Sequence, residues 1–445
     1  MDKAIRTLGN MSVVIRLISD LKPRARNPRT HSKKQIRQIA DSIRIFGFVN
    51  PVLIDGEGRI IAGHGRVEAA KLLGMTEVPT VRVDHLSAEQ VRAYVIADNK
   101  LAESAEWDRE LLRLELLEIE ANLEVSIPLL GFEPAEVDAI LAEGAKAGLR
   151  DDEVAPVDVT RPAVSRLGDR WRIGRHFVHC ADALKADSYA RLLNGEVAQM
   201  VITDPPYNVK IDGHVSGLGR NSHAEFAMAS GEMDQDEFTT FLATVFGHLA
   251  AHSIEGSIHY ICMDWRHMSE VLEAARRPYT ELKNLCVWAK TNGGMGSFYR
   301  SQHELVFVFK NGTAAHINNV ELGKFGRNRT NVWNYAGVNT FGQDRDKELA
   351  MHPTVKPVAM IADAILDASE RDGVVLDAFG GSGTTLVAAE RTGRRGYALE
   401  ISPHYVDTIV KRVSEASDVE AVLSGSNQTF EQVRQWRASG LDGEV

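Results

Sequence analysis

Two short turns hold the residue types that could do chemistry. Asp204-Pro205-Pro206-Tyr207 follows the apolar run VAQMVIT directly. Two prolines fix φ and remove two backbone donors, which leaves a stiff turn rich in acceptors. The Asp204 carboxylate and the Pro205 carbonyl can each accept one hydrogen of a planar NH2 group, while the Tyr207 ring stacks on the face of a base. The lone pair of such an exocyclic amine is delocalised into its ring. Accepting both hydrogens draws the nitrogen toward a tetrahedral state and makes it nucleophilic. In isolation a D-P-P turn reads first as a strand ending with a surface Asp and Tyr. Residues further along change that reading.

The second turn lies in GVVLDAFGGSGTTLVAAERTGRRGYALE, Gly373 to Glu400. A strand ends at Asp377, a glycine turn follows (Gly380, Gly381, Gly383), and a helix starts near Thr384. Glycines let a backbone approach a ligand closely, and a helix N-terminus offers free N–H groups. A second strand ends in Glu400, 23 residues after Asp377, where an acid can accept from two ribose hydroxyls. The motif lacks the Lys of a phosphate-gripping P-loop and the glycine spacing of dinucleotide folds. A nucleoside without phosphates is left, and S-adenosylmethionine fits that description. A plain βαβ glycine turn is the bland alternative.

At these residues the chain resembles amino-group DNA methyltransferases, N6-adenine or N4-cytosine, of the β arrangement, in which the catalytic turn precedes the cofactor turn. The resemblance covers about 245 residues and includes Gly168-Asp169-Arg170-Trp171 followed by HFVHCADAL, and His352-Pro353-Thr354-Val355-Lys356-Pro357. Ala378 stands where the family usually has proline. The resemblance implies Asp204, Pro205, Pro206 and Tyr207 as the catalytic turn. It implies Asp182, Thr354, Lys356, Asp377, Phe379, Gly380, Gly381, Gly383, Thr384 and Glu400 as the S-adenosyl-L-methionine site, with Thr354 and Lys356 along the methionine end. It further implies direct methyl transfer to nitrogen with no metal, on a base flipped out of the duplex.

Residues 310–345 are loop-rich, amide-rich and basic, with Trp333, Tyr335 and Phe341 interleaved. Lys and Arg grip phosphates, and Asn, Gln and Arg read base edges. The stretch, about 310–351, resembles the family's target-recognition insert, which puts Lys324, Arg327 and Arg329 on DNA; the segment NGGMGSFYRSQHE resembles the flank of the base pocket and adds Arg300 and His303. A solvated basic loop is the alternative. Near the N-terminus, Leu21-Lys22-Pro23, RNPRTHS, GFVNPVLID, GRIIAGHGRVEAAKLLG and VPTVRVD resemble the ParB/sulfiredoxin-like superfamily. There Gly63, His64, Gly65 and Arg66 correspond to a phosphate-contacting motif at a helix start, with Asn27, Arg29 and His31 in a companion segment. A nucleotide is an expected partner of that site; a DNA-docking or assembly module is the alternative.

These turns need elements to hold them. Ser32 to Phe46 spaces Ile36, Ile39, Ala40 and Ile43 on one helical face, and Arg66 to Leu73 reads as another helix. PVLID, GRIIAG and VPTVRVD read as strands. Residues 87–145 look helical and acidic, with Leu111, Leu114, Leu117 and Leu130 as an apolar stripe. From Gly168 onward, VAQMVITD, SIHYICM, LKNLCVWAK, HELVFVFK, GVVLDAF and GRRGYALE are strands, largely separated by helical stretches. That alternation predicts an α/β fold with a largely parallel sheet covered on both faces; the resemblance implies a Rossmann-like, mostly parallel seven-stranded sheet beside a smaller α+β ParB-like domain. The expected division is 1–110, a 111–165 acidic helical segment and linker, 166–415, and a 416–445 C-terminal tail.

At 445 residues the chain has length for two or three domains. No window reads as a membrane span, and the first 23 residues lack the unbroken apolar run of a secretion signal. Cys180, Cys262 and Cys286 are far apart, which excludes a disulfide framework and predicts a reducing, cytoplasmic setting. His248, His252 and His259 show no metal-ligand spacing and are expected to be structural. The net charge of −10 argues against a polyanionic partner until it is divided along the chain. Residues 1–50 carry 11 Lys and Arg against 3 Asp and Glu, and 283–331 carry 7 against 2; the acidic 103–155, with 4 against 15, sets the overall sign. Two basic stretches thus remain as candidate footprints for a polyanion; the resemblance implies double-stranded DNA as the partner, and a homodimer is compatible. The leading expectation is N6-adenine methylation, because the family's cytosine enzymes more often have Ser where Asp204 stands. N4-cytosine methylation, methylation of RNA or protein, and a ParB-like partition or nuclease-type protein with a degenerate methyltransferase domain are the competing readings.

Overall fold

The computed structural model describes residues 12–24, 27–102, 107–121, 130–143, 157, 161–208, 231–291, 293, 298–320, 327–336 and 355–439. The chain divides into two units, Met1–Glu133 and Pro134–Val445. In the first, four strands order as β1 (Val13–Leu17), β4 (Glu77–Arg82), β2 (Val52–Ile54) and β3 (Ile60–Ala62). Helix α1 (Lys33–Phe46) starts where the Ser32 side chain accepts from Gln35 N and stops at Gly47, whose φ of +77° a β-carbon would strain. Helix α2 (His64–Leu72) opens two residues earlier than the apolar pattern suggests, because Gly63 takes a left-handed cap. Helices α3 (Ala88–Ala102) and α4 (Arg109–Ala121) follow. The expected leucine stripe is not the packed face of α4. Leu111, Leu114 and Leu117 are 56%, 46% and 40% exposed, and Leu116 is the buried one.

The second unit begins with α5 (Pro134–Glu143) and holds a ten-stranded sheet rather than seven strands. Its five central strands are all parallel, in the order β8 (Ser253–Met263), β7 (Ala198–Thr203), β12 (Val374–Asp377), β13 (Arg395–Glu400), β6 (His176–Cys180). One flank adds β10 (His303–Lys310) and β9 (Glu281–Ala289), both antiparallel to their inner neighbours, and then β11 (Val332–Asn334). The other adds β5 (Arg170–Ile173) and β14 (Ala421–Leu423), also antiparallel. At one end the mixture arises because β5 and β6 are joined by a two-residue turn, without a crossover helix.

Buried residues line both faces. Along β8, Ile258, Tyr260 and Cys262 point to one face and Ile261 and Met263 to the other. The first face is covered by α9 (Val358–Ala368), α10 (Thr384–Arg391), α11 (Pro403–Ser417) and α12 (Phe430–Ala438). The second is covered by α6 (Ala186–Leu193), α7 (Gln235–Ala251) and α8 (Met268–Ala275). From β7 the chain winds one way, to β8; from β12 it winds the other, to β13. The crevice between the carboxyl ends of β7 and β12 is therefore the topological switch point, where open α/β sheets bind ligands.

Two stretches differ from the expected divisions. The segment after 415 is not a loose tail: β14 closes the sheet, and Val433 of α12 is fully buried. The acidic segment is split between the units, and α5 is pinned to the larger one. Arg394, with no exposed side-chain surface, donates to Asp138 Oδ1 at 2.8 Å and Oδ2 at 2.6 Å. Removing one partner of a buried ion pair strands the other charge. Asp138→Ala is expected to cost about 3–5 kcal/mol of stability, read as a lowered urea midpoint; an unchanged midpoint would show that α5 packs without the pair.

Candidate active site

Asp204 stands one residue past β7, at the switch point. Pro205 is buried behind it, and Pro206 and Tyr207 are half-buried. The Tyr207 hydroxyl donates to Asp204 Oδ1 at 2.6 Å and lies 3.2 Å from Glu304 Oε2. Lys356 Nζ, on a side chain 5% exposed, reaches Asp204 Oδ2 at 2.5 Å, Glu304 Oε2 at 3.0 Å and the Tyr207 hydroxyl at 3.2 Å. Lys290 pairs with Glu304 Oε1 from the end of β9 and lies 4.6 Å from the Trp288 ring centre. The result is an alternating chain, Asp204–Lys356–Glu304–Lys290, with no net charge.

Its electrostatics follow from burial and neighbours. Burial raises the Asp204 carboxyl above its ordinary range, against the pull of Lys356. Burial raises Glu304 too, but Lys356 and Lys290 outweigh it and bring the carboxyl down to about 2. Burial works against the Lys356 charge, yet Asp204 and Glu304 hold its ammonium protonated above the ordinary lysine range. Burial also keeps the Tyr207 phenol neutral. Two carboxylates and a phenol at the mouth of a strand turn thus sit ready to accept or orient an N–H group.

The glycine turn after β12 lies on the next strand. Phe379 is half-buried, 6.0 Å from the Phe241 ring. A β-carbon on Gly380 would meet Ile409 at 2.9 Å and Leu399 O at 3.3 Å, so only glycine lets the loop lie against α11. Gly383 has φ +86° and caps α10, and Thr384 opens that helix. Glu400, at the tip of β13, accepts from Gly381 N and Ser402 N, both at 2.9 Å. Asp182, just past β6, accepts from Leu184 N at 2.9 Å through Oδ1, with Oδ2 4.0 Å from Lys185. The set of donors and acceptors fits a neutral-ribose nucleoside: carboxylates at two neighbouring strand tips, a backbone turn and a helix start.

Some expected residues stand elsewhere. Asp377 is not a free acceptor for a ligand. Its Oδ1 takes Thr203 Oγ1 at 2.7 Å and Phe379 N at 3.0 Å, and its Oδ2 takes Thr385 Oγ1 at 2.6 Å. It shapes the turn. Lys356, expected along the cofactor's methionine end, is ion-paired with Asp204 and with Glu304 of β10. Arg327 and Arg329 face inward, 10% and 18% exposed, onto Asp363 and Asp367 of α9. An arginine between two carboxylates on one helix is held there by several charge-assisted bonds and does not present itself to a phosphate. Arg300 is exposed and donates to Gly293 O at 2.7 Å. Lys324 and Thr354 lie outside the described residues. His259 is buried between Ser257 Oγ and Tyr279 OH, both at 3.0 Å, as a structural histidine should be.

In the N-terminal unit the two expected segments do meet. A cavity of about 180 Å³ is lined by Asn27, Arg29 and His31 on one side and Gly63, His64, Gly65 and Arg66 on the other. The Arg66 guanidinium donates to Asn50 O at 2.7 Å, and a β-carbon on Gly63 would strike it at 3.1 Å. Burial lowers both the Arg66 and the His64 pKa.

Residue reading missed Glu304, Lys290, Thr203 and Thr385. Glu304 did leave a signal: it is one of two acids in the basic stretch 283–331 and opens an otherwise apolar strand.

Burial raises Glu400 from 4.5 to about 7, more than its two backbone donors lower it. A carboxyl with a raised folded pKa binds more protons folded than unfolded, so its contribution to stability is full below pH 4.5 and lost as pH rises through about 7. Glu400→Gln does not titrate. Its urea midpoint relative to the native chain should therefore improve between pH 4.5 and about 7; a pH-independent difference would refute the assignment.

The DNA methylase (N6/N4) family model matches residues 198–411, and the ParB N-terminal domain model matches residues 3–100. The ParB-like nuclease domain-containing protein YnaK of Escherichia coli K12 is 50% identical over 80 residues, 18% of this chain and 92% of that protein. The type II methyltransferase M.HpaI of Haemophilus parainfluenzae is 26% identical over 250 residues, 53% of this chain and 73% of that protein. Among solved structures, the cytosine-N4-specific PvuII DNA methyltransferase aligns over 63% of this chain and 98% of its own at 16% identity, with a TM-score of 0.44. Among the described residues no helix is long and apolar enough to cross a membrane, and no acidic, His or Cys cluster is arranged for a metal. The chain joins a ParB N-terminal domain to a domain of the N6/N4 amino-group DNA methylase family, whose members depend on S-adenosylmethionine.

Proposed function

We propose that the chain methylates the N6 amino group of adenine in double-stranded DNA. The observation that carries this reading is Asp204 at the switch point with Tyr207 bonded to its carboxylate. Glu400 stands two strands away, about 10 Å by ordinary strand spacing. Base site and nucleoside site are then neighbours on one sheet edge.

When bound, S-adenosylmethionine supplies a methyl group on a sulfonium, an already activated leaving group. Asp182 would accept from its adenine amine, Glu400 from its ribose hydroxyls, and the Gly380–Gly383 turn would lie against it. Asp204 and the Pro205 carbonyl accept the two hydrogens of the target amine and steer its lone pair outward. Tyr207 covers the base. The nitrogen gains positive charge as it is methylated and then loses one proton; the ionised Asp204 stabilises that charge and lies on the proton's way to water. Most of the rate comes from position, since no covalent enzyme intermediate is formed. A carboxylate instead of a hydroxyl at position 204 favours adenine over cytosine, and a duplex base reaches this turn only by flipping.

For the N-terminal cavity we infer an anionic ligand of the nucleotide class, because Arg29, Arg66 and the start of α2 converge there. Full-length chain titrated with ribonucleoside triphosphates should release heat that Arg66→Ala abolishes; silence with all four would remove the inference. The main reading is tested by transfer of labelled methyl from S-adenosylmethionine to DNA, followed by nucleoside analysis. N6-methyl-2′-deoxyadenosine is the expected product, and N4-methyl-2′-deoxycytidine would overturn the choice of base. Asp204→Ala should lose at least about 10³-fold in transfer with cofactor affinity kept; full activity in that variant would overturn the site.

A further inference from the structure

We propose that Glu304 is a positioning residue for the transfer: it is the second seat of the Lys356 ammonium, and takes that ammonium from Asp204 when the target amine arrives. This rests on the methyl-transfer reading above. Lys356 Nζ donates to Asp204 Oδ2 and the Tyr207 hydroxyl and is ion-paired with Glu304 Oε2 at 3.0 Å. Asp204 therefore carries a full ammonium on one oxygen and a phenol on the other. Such a carboxylate is a weak acceptor for another hydrogen. Moving Lys356 aside with nowhere to go would strand a buried cation, which desolvation opposes. Glu304 removes that obstacle, because the ammonium is already within 3.0 Å of it.

Lys290 completes the device. It holds the far oxygen of Glu304, so that Glu304 stays ionised while shared by two lysines. The groups facing Asp204 come from every neighbouring element. They are Tyr207 in its own turn, the neutral Cys262 thiol on β8, Glu304 on β10, Lys356 before α9, and Asp377 on β12, with Lys290 and Trp288 at the end of β9 set against Glu304 and Lys356. Of these, Lys356 alone gives Asp204 a cation in direct contact. Glu304 alone competes for that cation.

Glu304→Gln keeps shape and hydrogen bonding but not charge. Lys356 then stays on Asp204, and Asp204 loses the neighbouring negative charge that raises its pKa. In single-turnover methyl transfer to DNA the rate near neutral pH should fall about 10- to 100-fold, with DNA and S-adenosylmethionine affinities kept. The acid limb of the rate profile should move about one unit lower. Glu304→Asp, which keeps the charge, should restore the limb and part of the rate. A purely structural role predicts a loss with the limb unmoved, and that result, or an undiminished rate, overturns the proposal. Should Glu304→Gln fail to fold, Lys290→Met provides the same reading through the charge it leaves unbalanced on Glu304: a slower rate and a displaced limb support the proposal, and wild-type kinetics overturn it. A native chain silent on DNA instead overturns the methyl-transfer reading itself.

Discussion

The Asp377 carboxylate ties the two halves of the site together. One oxygen accepts from Thr203, the last residue of the strand that presents Asp204, and from Phe379 at the start of the glycine turn; the other accepts from Thr385 in the helix beyond. Burying a carboxyl without such partners would cost several kcal/mol, and three donors offset that here. Burial still lifts its pKa to about 6. The group is consequently a joint between β7, the turn and α10. It fixes the spacing between the Asp204 turn and the glycine turn, which is the preorganisation that the proposed transfer would draw on.

Around that joint the charges alternate. Asp204 and Glu304 each take a lysine, and Lys356 is shared. Such a chain keeps a buried carboxylate ionised without fixing a single partner to it. The architecture makes this possible because β10 runs antiparallel to the central strands and β9 parallel to them, so the start of β10 and the end of β9 lie at one edge. Their near ends bring Glu304 and Lys290 to the edge where β7 and β12 finish. A wholly parallel sheet would have placed crossover connections there instead.

Local features of this site were legible in the chain and distant ones were not. The proline turn, the glycine turn and the acid 23 residues after Asp377 are short-range patterns, imposed by backbone sterics and by strand-turn-helix geometry. They led to Asp204, Tyr207 and Glu400, which the fold brings to the ends of β7 and β13. Lys356 and Glu304 lie 52 positions apart, and Asp138 and Arg394 lie 256 apart. Their pairing depends on which strands become neighbours, a property of the whole sheet. The leucines of α4 failed for a related reason: periodicity locates an apolar face, but not what lies opposite it, and Leu116 rather than Leu111 or Leu114 met the core.

Charge read along the chain misled in the same way. The stretch 283–331 looked like a polyanion footprint because it carries 7 basic residues against 2 acidic ones. Folding pairs three of those seven cations with buried or half-buried acids. Arg327 and Arg329 neutralise Asp363 and Asp367, which lie outside the stretch, and Lys290 neutralises Glu304. What stays outward is a different set, with Arg300 beside Phe298 and Tyr299, 86% and 81% exposed and packed edge to face 4.5 Å apart. A positive charge already bonded to two carboxylates contributes little field beyond a Debye length of about 8 Å. How much of the positive charge of the stretch is left to attract a nucleic acid is therefore decided by which acids folding brings against it, and only the three-dimensional pairing shows that.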